Sequence, residues 1–400
     1  MRIALISEVF SKQMGYLENC LPKYLARLGA DVHVITMDLF PYYQMHDFQE
    51  TFGNFSESER LTPGTVEQYD GYTLHVLPHR KVLGYMRMSN LQDKIRSIRP
   101  HIIQTTAAIG WIPLDLSLLK SFYGYKLFTG SHTAASTFPL ARTCSSFINK
   151  RRLASFFTRY ILGRFTSLFT EKCYAVTIDC RDIAVKFFGV QKEKAEIAHL
   201  GVDTDIFHQS DRLELIEERR ATRKELGIPS DSIVCIYTGK FSEEKNPLIV
   251  AEAINHIREK RANYVGLFIG DGVQQASLRK FDSCIVKPFM PFQQLPRFYR
   301  ASDIAVWPTN ESTSMLDAAA CGLPLIVSDG IIYREHVTGN GLIYRMNDIE
   351  DLEDKLFDLR EKGKRESLGQ SGAQKMRTHF SWHSIAKKRM KDYESVLIPH

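Results

Sequence analysis

Residues 2–37 combine two short apolar runs with a segment of helical spacing between them. RIALISEVF at 2–10 predicts a buried strand, and YLENCLPKYLARLG at 16–29 repeats apolar residues every three to four positions before a glycine. DVHVITM at 31–37 predicts a second buried strand. A strand, a helix and a strand in succession predict parallel strands that are joined by a right-handed crossover.

Further short apolar runs continue this rhythm through the first half of the chain, separated by polar or helical segments. They are YTLHVLP at 72–78, HIIQTT at 101–106, YKLFTGS at 125–131 and YAVTID at 174–179. Strands that are apolar on both faces are typical of a parallel sheet that helices cover on each side.

The pattern restarts after the polar helical stretch EERRATRKELGIP at 217–229. Helix PLIVAEAINHIREK at 247–260 and others separate the strands that we predict in SIVCIYTGKF, YVGLFIGDG, CIVKPF, IAVWPT and PLIVSDG. Two such sets predict two doubly wound α/β domains, joined near 199–224, where turn residues dominate. Ligands of such sheets bind at the carboxyl ends of the strands, so we expect the site in a cleft between the domains.

Composition changes this picture little. The chain has 400 residues, 44% of them hydrophobic and 24% charged, which excludes a disordered, collagen-like or disulfide-scaffold protein. The longest stretches without a charged residue, 100–114 and 127–141, are shorter than the ~20 apolar residues of a membrane span. The first residues lack the long apolar core of a signal peptide. We therefore expect a cytoplasmic protein.

The cysteines are odd in number and widely scattered, with no CxxC pair. This favours reduced thiols and argues against structural zinc or a disulfide framework. The seven are Cys20, Cys144, Cys173, Cys180, Cys235, Cys284 and Cys321.

Two lysines flank a predicted strand-to-helix turn in GKFSEEKNP at 239–247. Lys240 and Lys245, together with the free N–H groups that open the next helix, suit a diphosphate. A solvated turn is the alternative. The second glycine turn, Gly270-Asp271-Gly272, is an incomplete dinucleotide fingerprint because Gln275 replaces its third glycine, so this turn alone favours a tight bend over a cofactor loop.

The stretch DIAVWPTNESTSMLDAAACGLPLIVSD at 303–329 carries the strongest pattern. A strand ends at Pro308, a polar loop holds Glu311, and a helix of small residues opens near Ser314 and carries Asp317. A helix N-terminus beside two carboxylates can hold a phosphate and the hydroxyls of a ribose or sugar.

These motifs together resemble the retaining glycosyltransferases of family 4. LGVDTDIF at 200–207, YTGKFSEEKNPL at 237–248, FIGDG at 268–272 and PTNESTSMLDAAACGLPLIVSD at 308–329 follow that family's order and spacing. In the first half, the loop at Gly15, LPKYLARLGADVHVIT at 21–36 and FTGSHTAAS at 128–136 agree with it as well. The resemblance implies the GT-B fold, in which two Rossmann-like domains face a central cleft.

The resemblance also implies domain bounds and residue roles. The acceptor domain would cover 1–200, the nucleotide-sugar domain 201–383, and the final helix 384–400 would return to the first domain. Gly15, Lys240 and Lys245 would serve the donor diphosphate, His132 and Glu311 the transferred sugar, and Asp317 the ribose hydroxyls. The remaining donor-binding residues would be Gly239, Gly270 and Gly272, together with Ser312, Thr313, Ser314 and Met315, which would offer backbone N–H groups.

Three positions depart from the family pattern. Five residues separate Glu311 from Asp317, where the family has seven between two glutamates, so the loop is about two residues shorter. Lys240 stands where the family usually has arginine. Gly15 lacks the second glycine that is often beside it. These departures affect the identity of the donor more than the class of reaction.

A metal ion is not expected. Asp203-x-Asp205 has the spacing of a metal motif, but the matching loop of the family is structural. We therefore expect no metal and no cofactor beyond the nucleotide-sugar co-substrate.

The segment 142–170 is basic and aromatic, with six basic residues and no acidic one. Phe147, Phe156, Phe157, Tyr160, Ile161, Phe165 and Phe169 interleave with Arg142, Lys150, Arg151, Arg152, Arg159 and Arg164 at near-helical spacing. This is typical of a helix at an anionic membrane surface. The alternative is a helix packed on its own domain with a solvated basic edge. Nothing in the segment resembles a nucleic-acid recognition module.

The sequence therefore predicts a metal-independent, retaining glycosyltransferase that moves a sugar from a nucleotide donor to a lipid-linked or saccharide acceptor. Envelope polysaccharide or glycolipid synthesis at the inner face of the cytoplasmic membrane is the expected setting. The shortened acidic loop leaves open a non-catalytic, glycosyltransferase-like binding subunit. An NAD-dependent oxidoreductase or epimerase is a further alternative, which the incomplete fingerprint disfavours.

Overall fold

The structure is a computed structural model that describes residues 1–57, 59, 61–135, 138–142, 150–209, 213–260 and 263–398. At positions 54, 57, 142 and 150–152 it describes the backbone alone.

The first half of the chain forms an eight-stranded sheet and a separate hairpin. Its strands are β1 (Arg2–Ile6), β2 (Asp31–Met37), β3 (Val66–Tyr69), β4 (Tyr72–Leu77), the hairpin strands β5 (His79–Val82) and β6 (Tyr85–Met88), β7 (Ile102–Thr105), β8 (Lys126–Ser131), β9 (Thr170–Ala175) and β10 (Ala195–Ile197). The order across the sheet is β10-β9-β8-β7-β1-β2-β4-β3. Neighbours are parallel except for the edge pair β3 and β4.

Helices cover both faces of this sheet because its central strands are apolar on both sides. Ile3 and Leu5 of β1 pack toward one helical layer, whereas Ala4 and Ile6 pack toward the other. The helices are α1 (Leu17–Arg27), α2 (Phe48–Glu57), α3 (Leu91–Ile98), α4 (Trp111–Tyr123), α5 (Pro139–Arg142), α6 (Lys150–Ser155), a π-helix (Phe156–Ile161), α7 (Leu162–Phe169), α8 (Ile178–Phe187) and a 3-10 turn (Lys192–Lys194).

The second half forms a six-stranded parallel sheet with its own core. The strands are β11 (Ile233–Thr238), β12 (Tyr264–Ile269), β13 (Cys284–Lys287), β14 (Ile304–Trp307), β15 (Leu325–Ser328) and β16 (Gly341–Tyr344), in the order β13-β12-β11-β14-β15-β16. This is the strand order of a doubly wound nucleotide-binding sheet. The helices are α9 (Leu213–Glu225), α10 (Pro247–Glu259), α11 (Gln275–Leu278), α12 (Pro296–Ala301), α13 (Ser314–Ala320), α14 (Ile349–Asp358) and α15 (Lys362–Thr378), with 3-10 turns at Phe292–Gln294 and Arg334–His336.

The last helix, α16 (Trp382–Ser395), returns to the first domain. Trp382, Ala386 and Tyr393 are buried in the cluster that contains α1. The chain crosses back beside the outgoing linker, where the N–H of Trp382 donates to the carbonyl oxygen of Val202 at 3.0 Å. The two domains are therefore connected by two segments, the linker and the returning chain, that run side by side.

The predicted fold class, two doubly wound α/β domains, is confirmed, with local corrections. The strand predicted at YAVTID lies earlier, at Thr170–Ala175, because Thr177 caps α8 by accepting from the N–H of Cys180 at 3.1 Å. The prediction also lacked the polar hairpin β5–β6 and three further strands, the edge strand β3 and the short strands β10 and β16. Segment 142–170 is a helix broken by a π-helical turn over its described part.

Candidate active site

The carboxyl ends of the two sheets face each other across a cleft, and the loop between β1 and α1 meets the second domain there. The N–H of Phe292 donates to the carbonyl oxygen of Gln13 at 2.9 Å, and the Gln293 amide donates to that of Lys12 at 3.1 Å. A Cβ at Gly15 would lie 2.9 Å from the Phe292 ring. Gly15 therefore lets the loop approach the opposite domain closely.

Lys240 and Lys245 both lie at the turn that follows β11. Lys240 forms an ion pair with Asp47 of the first domain, and the two side chains are only 18% and 14% exposed. The ammonium group of Lys245 contacts the side-chain oxygen of Asn310 and lies 3.4 Å from the carbonyl oxygen of Glu311. Burial lowers the pKa of Lys245. The two predicted diphosphate ligands thus lie together on the cleft wall.

Three glycines allow the ends of β11 and β12 to touch. Gly270 has φ +156°, and a Cβ there would lie 1.9 Å from the carbonyl oxygen of Gly239, which itself has φ +146°. Gly272 has φ +142°, and its Cβ would lie 2.6 Å from the carbonyl oxygen of Phe241. Only glycine fits these positions. The glycines shape the cleft wall, and their contact with a donor stays a prediction.

Glu311 fixes the turn that follows β15. One carboxylate oxygen accepts from the N–H of Ile332 and, at 2.9 Å, from that of Tyr333. The Tyr333 hydroxyl in turn accepts from the N–H of Ile178 at 2.7 Å and lies 3.3 Å from Asp179. The residue predicted to contact the sugar therefore also positions a bridge to the first domain.

Segment 312–315, which is predicted to offer backbone N–H groups to the donor, forms hydrogen bonds within itself. The N–H of Ser314 lies 3.4 Å from the hydroxyl of Ser312, and the N–H of Met315 donates to the carbonyl oxygen of Ser312 at 3.1 Å. Thr313 accepts from the N–H of Leu316 at 2.9 Å. The short loop thus winds directly into α13, and the N–H groups of Ser314 and Met315 already have local partners. Their contact with a donor stays a prediction.

Asp317 lies in the first turn of α13 and His132 directly after β8, and the pKa of each is shifted toward the neutral form of the side chain. Burial, and then the nearby Asp203 carboxylate, raises the pKa of Asp317 well above its usual range. The side chain of His132 is exposed, and desolvation by the neighbouring protein and then the charge of Arg389 lower its pKa. A neutral carboxylic acid and a neutral imidazole can each donate and accept hydrogen bonds, which suits hydroxyl-rich ligands.

The Asp203-x-Asp205 motif holds α1 against the start of the second domain. Asp203 accepts from the Lys23 ammonium group at 2.7 Å and from the Tyr24 hydroxyl at 2.6 Å. Asp205 forms an ion pair with Arg27. Both carboxylates are committed to these cations and the hydroxyl, which is a structural role.

A second group of metal-ligand types lies at the domain linker. The donor atoms of His199, Glu335 and His336 are within 4.8 Å of one another, and His199 Nε2 lies 3.0 Å from Glu335 Oε1. The Lys375 ammonium group donates to the carbonyl oxygen of Glu335 at 2.9 Å. Burial, then His199 and Lys375, lower the pKa of His336 to about 4. A cation so close opposes a bound metal ion.

The basic segment presents apolar side chains to solvent over its described part. Phe157 is 57% exposed, and Phe122 of the adjacent α4 is 82% exposed. Other exposed members of this surface, which we call the apolar patch, are Leu118, Leu153, Phe156, Ile161, Leu162 and Leu168. The side chains of Arg142 and of 143–152 lie outside the described residues. Within the described part of the chain, no helix is long and apolar enough to cross a bilayer.

Several residues of the cleft carried no signal that sequence reasoning detected. Asp47, Tyr333 and Asp179 are single polar residues outside the site motifs, whereas Asn310 lies in the 308–329 motif but is not among its predicted ligands. Glu59 contacts the β1–α1 loop across 46 residues of chain. Only the aromatic density of 40–55 marks the segment that carries Asp47.

Family models match both halves of the chain. The model described as "Glycosyltransferase Family 4" matches residues 21–206, and that described as "Glycosyl transferases group 1" matches residues 218–375. The chain belongs to the family 4-type glycosyltransferases with the GT-B fold. The resemblance read from the sequence is thereby confirmed.

Solved structures of low identity share the fold of this family 4-type glycosyltransferase over its whole length. Sucrose-phosphate synthase from Thermosynechococcus elongatus is 15% identical with a TM-score of 0.69, and the match covers 99% of each chain. HepE of Anabaena, solved in complex with UDP, is 14% identical with a TM-score of 0.69, and the match covers 99% of this chain and 100% of HepE.

Curated relatives match this glycosyltransferase over shorter stretches. Spore coat protein SA of Bacillus subtilis is 25% identical over 228 residues, which are 52% of this chain and 60% of the relative. A D-inositol 3-phosphate glycosyltransferase of Streptomyces avermitilis is 27% identical over 189 residues, 40% of this chain and 39% of the relative. The chain thus spans less than two thirds of the length of these relatives.

Proposed function

We propose that this protein is a retaining, metal-independent glycosyltransferase that uses a nucleotide-sugar donor. The acceptor would be lipid-linked or a saccharide, as in the synthesis of an envelope polysaccharide or glycolipid. The observation that carries the proposal is the meeting of Lys240, Lys245 and the loop at Gly15 at one cleft between the two sheets.

The charges of the cleft suit the cleavage of a sugar–phosphate bond. As that bond breaks, negative charge develops on the leaving nucleoside diphosphate and positive charge on the anomeric carbon. Fixed cations stabilise the first charge, each by roughly 2–4 kcal/mol when water is excluded. Lys240 and Lys245 would supply them, so no metal ion is required for this step. The neutral Asp317 and His132 would bind hydroxyl groups of the donor.

The choice of donor rests on the neighbours in structure. HepE of Anabaena was solved with UDP and also with UDP-glucose. A UDP-sugar is therefore the first donor to test for this chain, followed by GDP- and ADP-sugars. The shortened loop from Glu311 to Asp317 lies where the sugar would bind, so the transferred sugar need not be glucose.

Turnover with and without a chelator tests the proposal. Purified protein is incubated with UDP-, GDP- or ADP-sugars and EDTA, and the anomeric proton of the released or transferred sugar is followed by NMR. We expect one donor to be consumed at an unchanged rate in EDTA, with the product keeping the donor's anomeric configuration. Inversion would contradict the retaining mechanism, loss of activity in EDTA the metal independence, and no consumption of any donor the enzymatic function.

We also propose that the apolar patch binds an anionic membrane surface, which would place the enzyme at the inner face of the cytoplasmic membrane. α4 packs against α7, which continues the π-helix, and all three expose aromatic or aliphatic side chains beside a segment without acidic residues. Apolar insertion combined with basic charge is typical of peripheral membrane binding, and each cation contributes ~1 kcal/mol. A lipid-linked acceptor would then be reached from the membrane side.

A further inference from the structure

The segment between β2 and β3 crosses from the first domain onto the second. We call residues 38–57 together with Glu59 the strap. On its own domain the strap is held by Tyr43, whose hydroxyl donates to Glu8 at 2.8 Å, and by Asp38, which lies 2.6 Å from His79. Its far side contacts Lys240 and Phe289 of the second domain. The strap therefore bridges the cleft.

One carboxylate of the strap occupies the β1–α1 loop. Glu59 accepts from the N–H groups of Lys12 and, at 3.0 Å, of Gln13, and from the Ser11 hydroxyl at 2.5 Å. Consecutive backbone N–H groups in a loop before a helix form an anion-binding concavity. In this structure the anion in that concavity is the protein's own carboxylate.

The second carboxylate of the strap forms an ion pair with a lysine on the opposite wall of the cleft. Asp47 pairs with Lys240, and both side chains are largely buried. The other oxygen of Asp47, Oδ1, is buried without a hydrogen-bond partner, and so is the Thr51 hydroxyl one helical turn away. A buried carboxylate with one unsatisfied oxygen carries a desolvation cost that its ion pair must offset. The Lys240 ion pair offsets that cost here, since the pKa of Asp47 is lowered despite desolvation by burial.

An aromatic cluster completes the bridge. Phe52 and Phe55 of α2 meet the Phe289 ring edge-on, with centroids 5.4 and 4.8 Å apart. Tyr42 stacks on Phe52 with centroids 5.3 Å apart, and its hydroxyl lies 3.0 Å from that of Tyr16, next to Gly15. The strap thus lies against both groups that the proposed function assigns to the diphosphate.

We propose that the strap is an internal competitor of the donor: Asp47 and Glu59 occupy anion-binding groups of the cleft and leave them when a nucleoside diphosphate binds. The inference rests on the proposed function, since that function places the diphosphate at Lys240 and the β1–α1 loop. One segment places two carboxylates on two separate anion-binding groups. The strap therefore contacts the groups that the phosphates of a bound diphosphate would contact. The site is then binding-competent only in the fraction of molecules whose strap is released.

Removal of the competing charge should tighten nucleotide binding. The dissociation constants of UDP, GDP and ADP are measured by calorimetry for the wild type, Asp47→Asn and Glu59→Gln. We expect Asp47→Asn to bind on the order of 10-fold tighter, the factor for a site that is open about a tenth of the time. Glu59→Gln keeps an acceptor for the loop N–H groups and should show a smaller effect of the same sign. Glu50→Gln, a control that removes a charge from an exposed position of α2, should leave binding unchanged.

Hydrogen exchange of the wild type shows whether the strap moves. The bound nucleotide should speed exchange of backbone amides in 40–57 and slow that in 11–16. Slower exchange in both segments would mean that the strap closes over the nucleotide, which would overturn competition. Binding that Asp47→Asn leaves unchanged would overturn the strap proposal alone. No binding of any nucleotide by the wild type or by either variant would overturn the proposed function and the strap with it.

Discussion

At the scale of single residues, Lys245 carries the strongest expectation. Its ammonium group already lies on the loop of Asn310 and Glu311, so it is positioned before any ligand arrives. Lys245→Ala should lower turnover by on the order of 100-fold, because the charge that it stabilises develops mainly in the transition state. Steady-state kinetics with the confirmed donor measures this.

Lys280→Ala is the matched control, since Lys280 is an exposed lysine of the same domain. It should retain wild-type turnover, and circular dichroism should show both variants folded. Near-normal turnover of a folded Lys245→Ala protein would contradict the assignment of Lys245 to the diphosphate site.

Glu18 supplies a prediction about pH. It lies buried in the first turn of α1, and burial raises the pKa of its carboxyl to about 7. The folded state therefore keeps the proton between pH 4.5 and 7 while the unfolded state loses it, so this group destabilises the fold as the pH rises through that window. Glu18→Gln should raise the free energy of unfolding by about 3 kcal/mol at pH 8 and hardly at pH 4.5.

Urea unfolding of the wild type and Glu18→Gln at the two pH values measures that difference. Glu50→Gln, at an exposed position, should show none. An equal effect of Glu18→Gln at both pH values would mean that packing, and not the protonation of Glu18, causes the difference in unfolding free energy.

At the scale of elements, the glycine turns after β11 and β12 depend on contact between two backbones. Gly270→Ala would place a Cβ 1.9 Å from the carbonyl oxygen of Gly239, so the strand ends must separate. We expect a loss of roughly 3 kcal/mol or more in unfolding free energy. Gly227 has φ +67° with open space around it, so Gly227→Ala should cost only about 1–2 kcal/mol. Similar losses in both, measured by urea unfolding, would contradict the close approach.

The apolar patch gives a prediction about membranes. If the patch contacts lipid, the protein should cosediment with anionic vesicles and less with neutral ones. Added salt should release the protein from the anionic vesicles, because the Debye length falls from about 10 Å at 0.1 M to 3 Å at 1 M. Phe122→Ser together with Phe157→Ser should weaken this binding and leave turnover on a soluble acceptor unchanged. Equal binding to neutral and anionic vesicles, or none to either, would contradict a basic membrane surface.

Most strands that sequence analysis located contain a run of fully buried residues, although β13 is half-buried throughout. β2 falls at the predicted 31–37, since both its faces are covered by helices. β5 is polar and β6 is only four residues long, and the two pair with each other outside the main sheets, so no long apolar run marks them. In the site, a motif predicts Lys240 and Lys245. Asp47 reaches Lys240 by crossing to the other domain, and Glu59 reaches Gln13 across 46 residues of chain, so local sequence pattern encodes neither contact.

At the scale of the whole molecule, the two sheets bring their carboxyl edges to one cleft, and the strap, the β1–α1 loop and Tyr333 connect them across it. α16 and the linker form the crossing at one end. Among the contacts between the domains that the described residues make, the Asp47–Lys240 pair is the one that the diphosphate would replace. The central claim is that the leaving diphosphate binds between these edges.

A crystal structure of the protein with the nucleoside diphosphate that most raises its melting temperature tests this claim most directly. We expect the diphosphate between Lys245 and the 11–15 loop, Lys240 turned from Asp47 to a phosphate oxygen, and ribose hydroxyls at Asp317. A nucleotide bound outside the cleft, or bound in it with Asp47 and Glu59 still on Lys240 and the loop, would contradict the account.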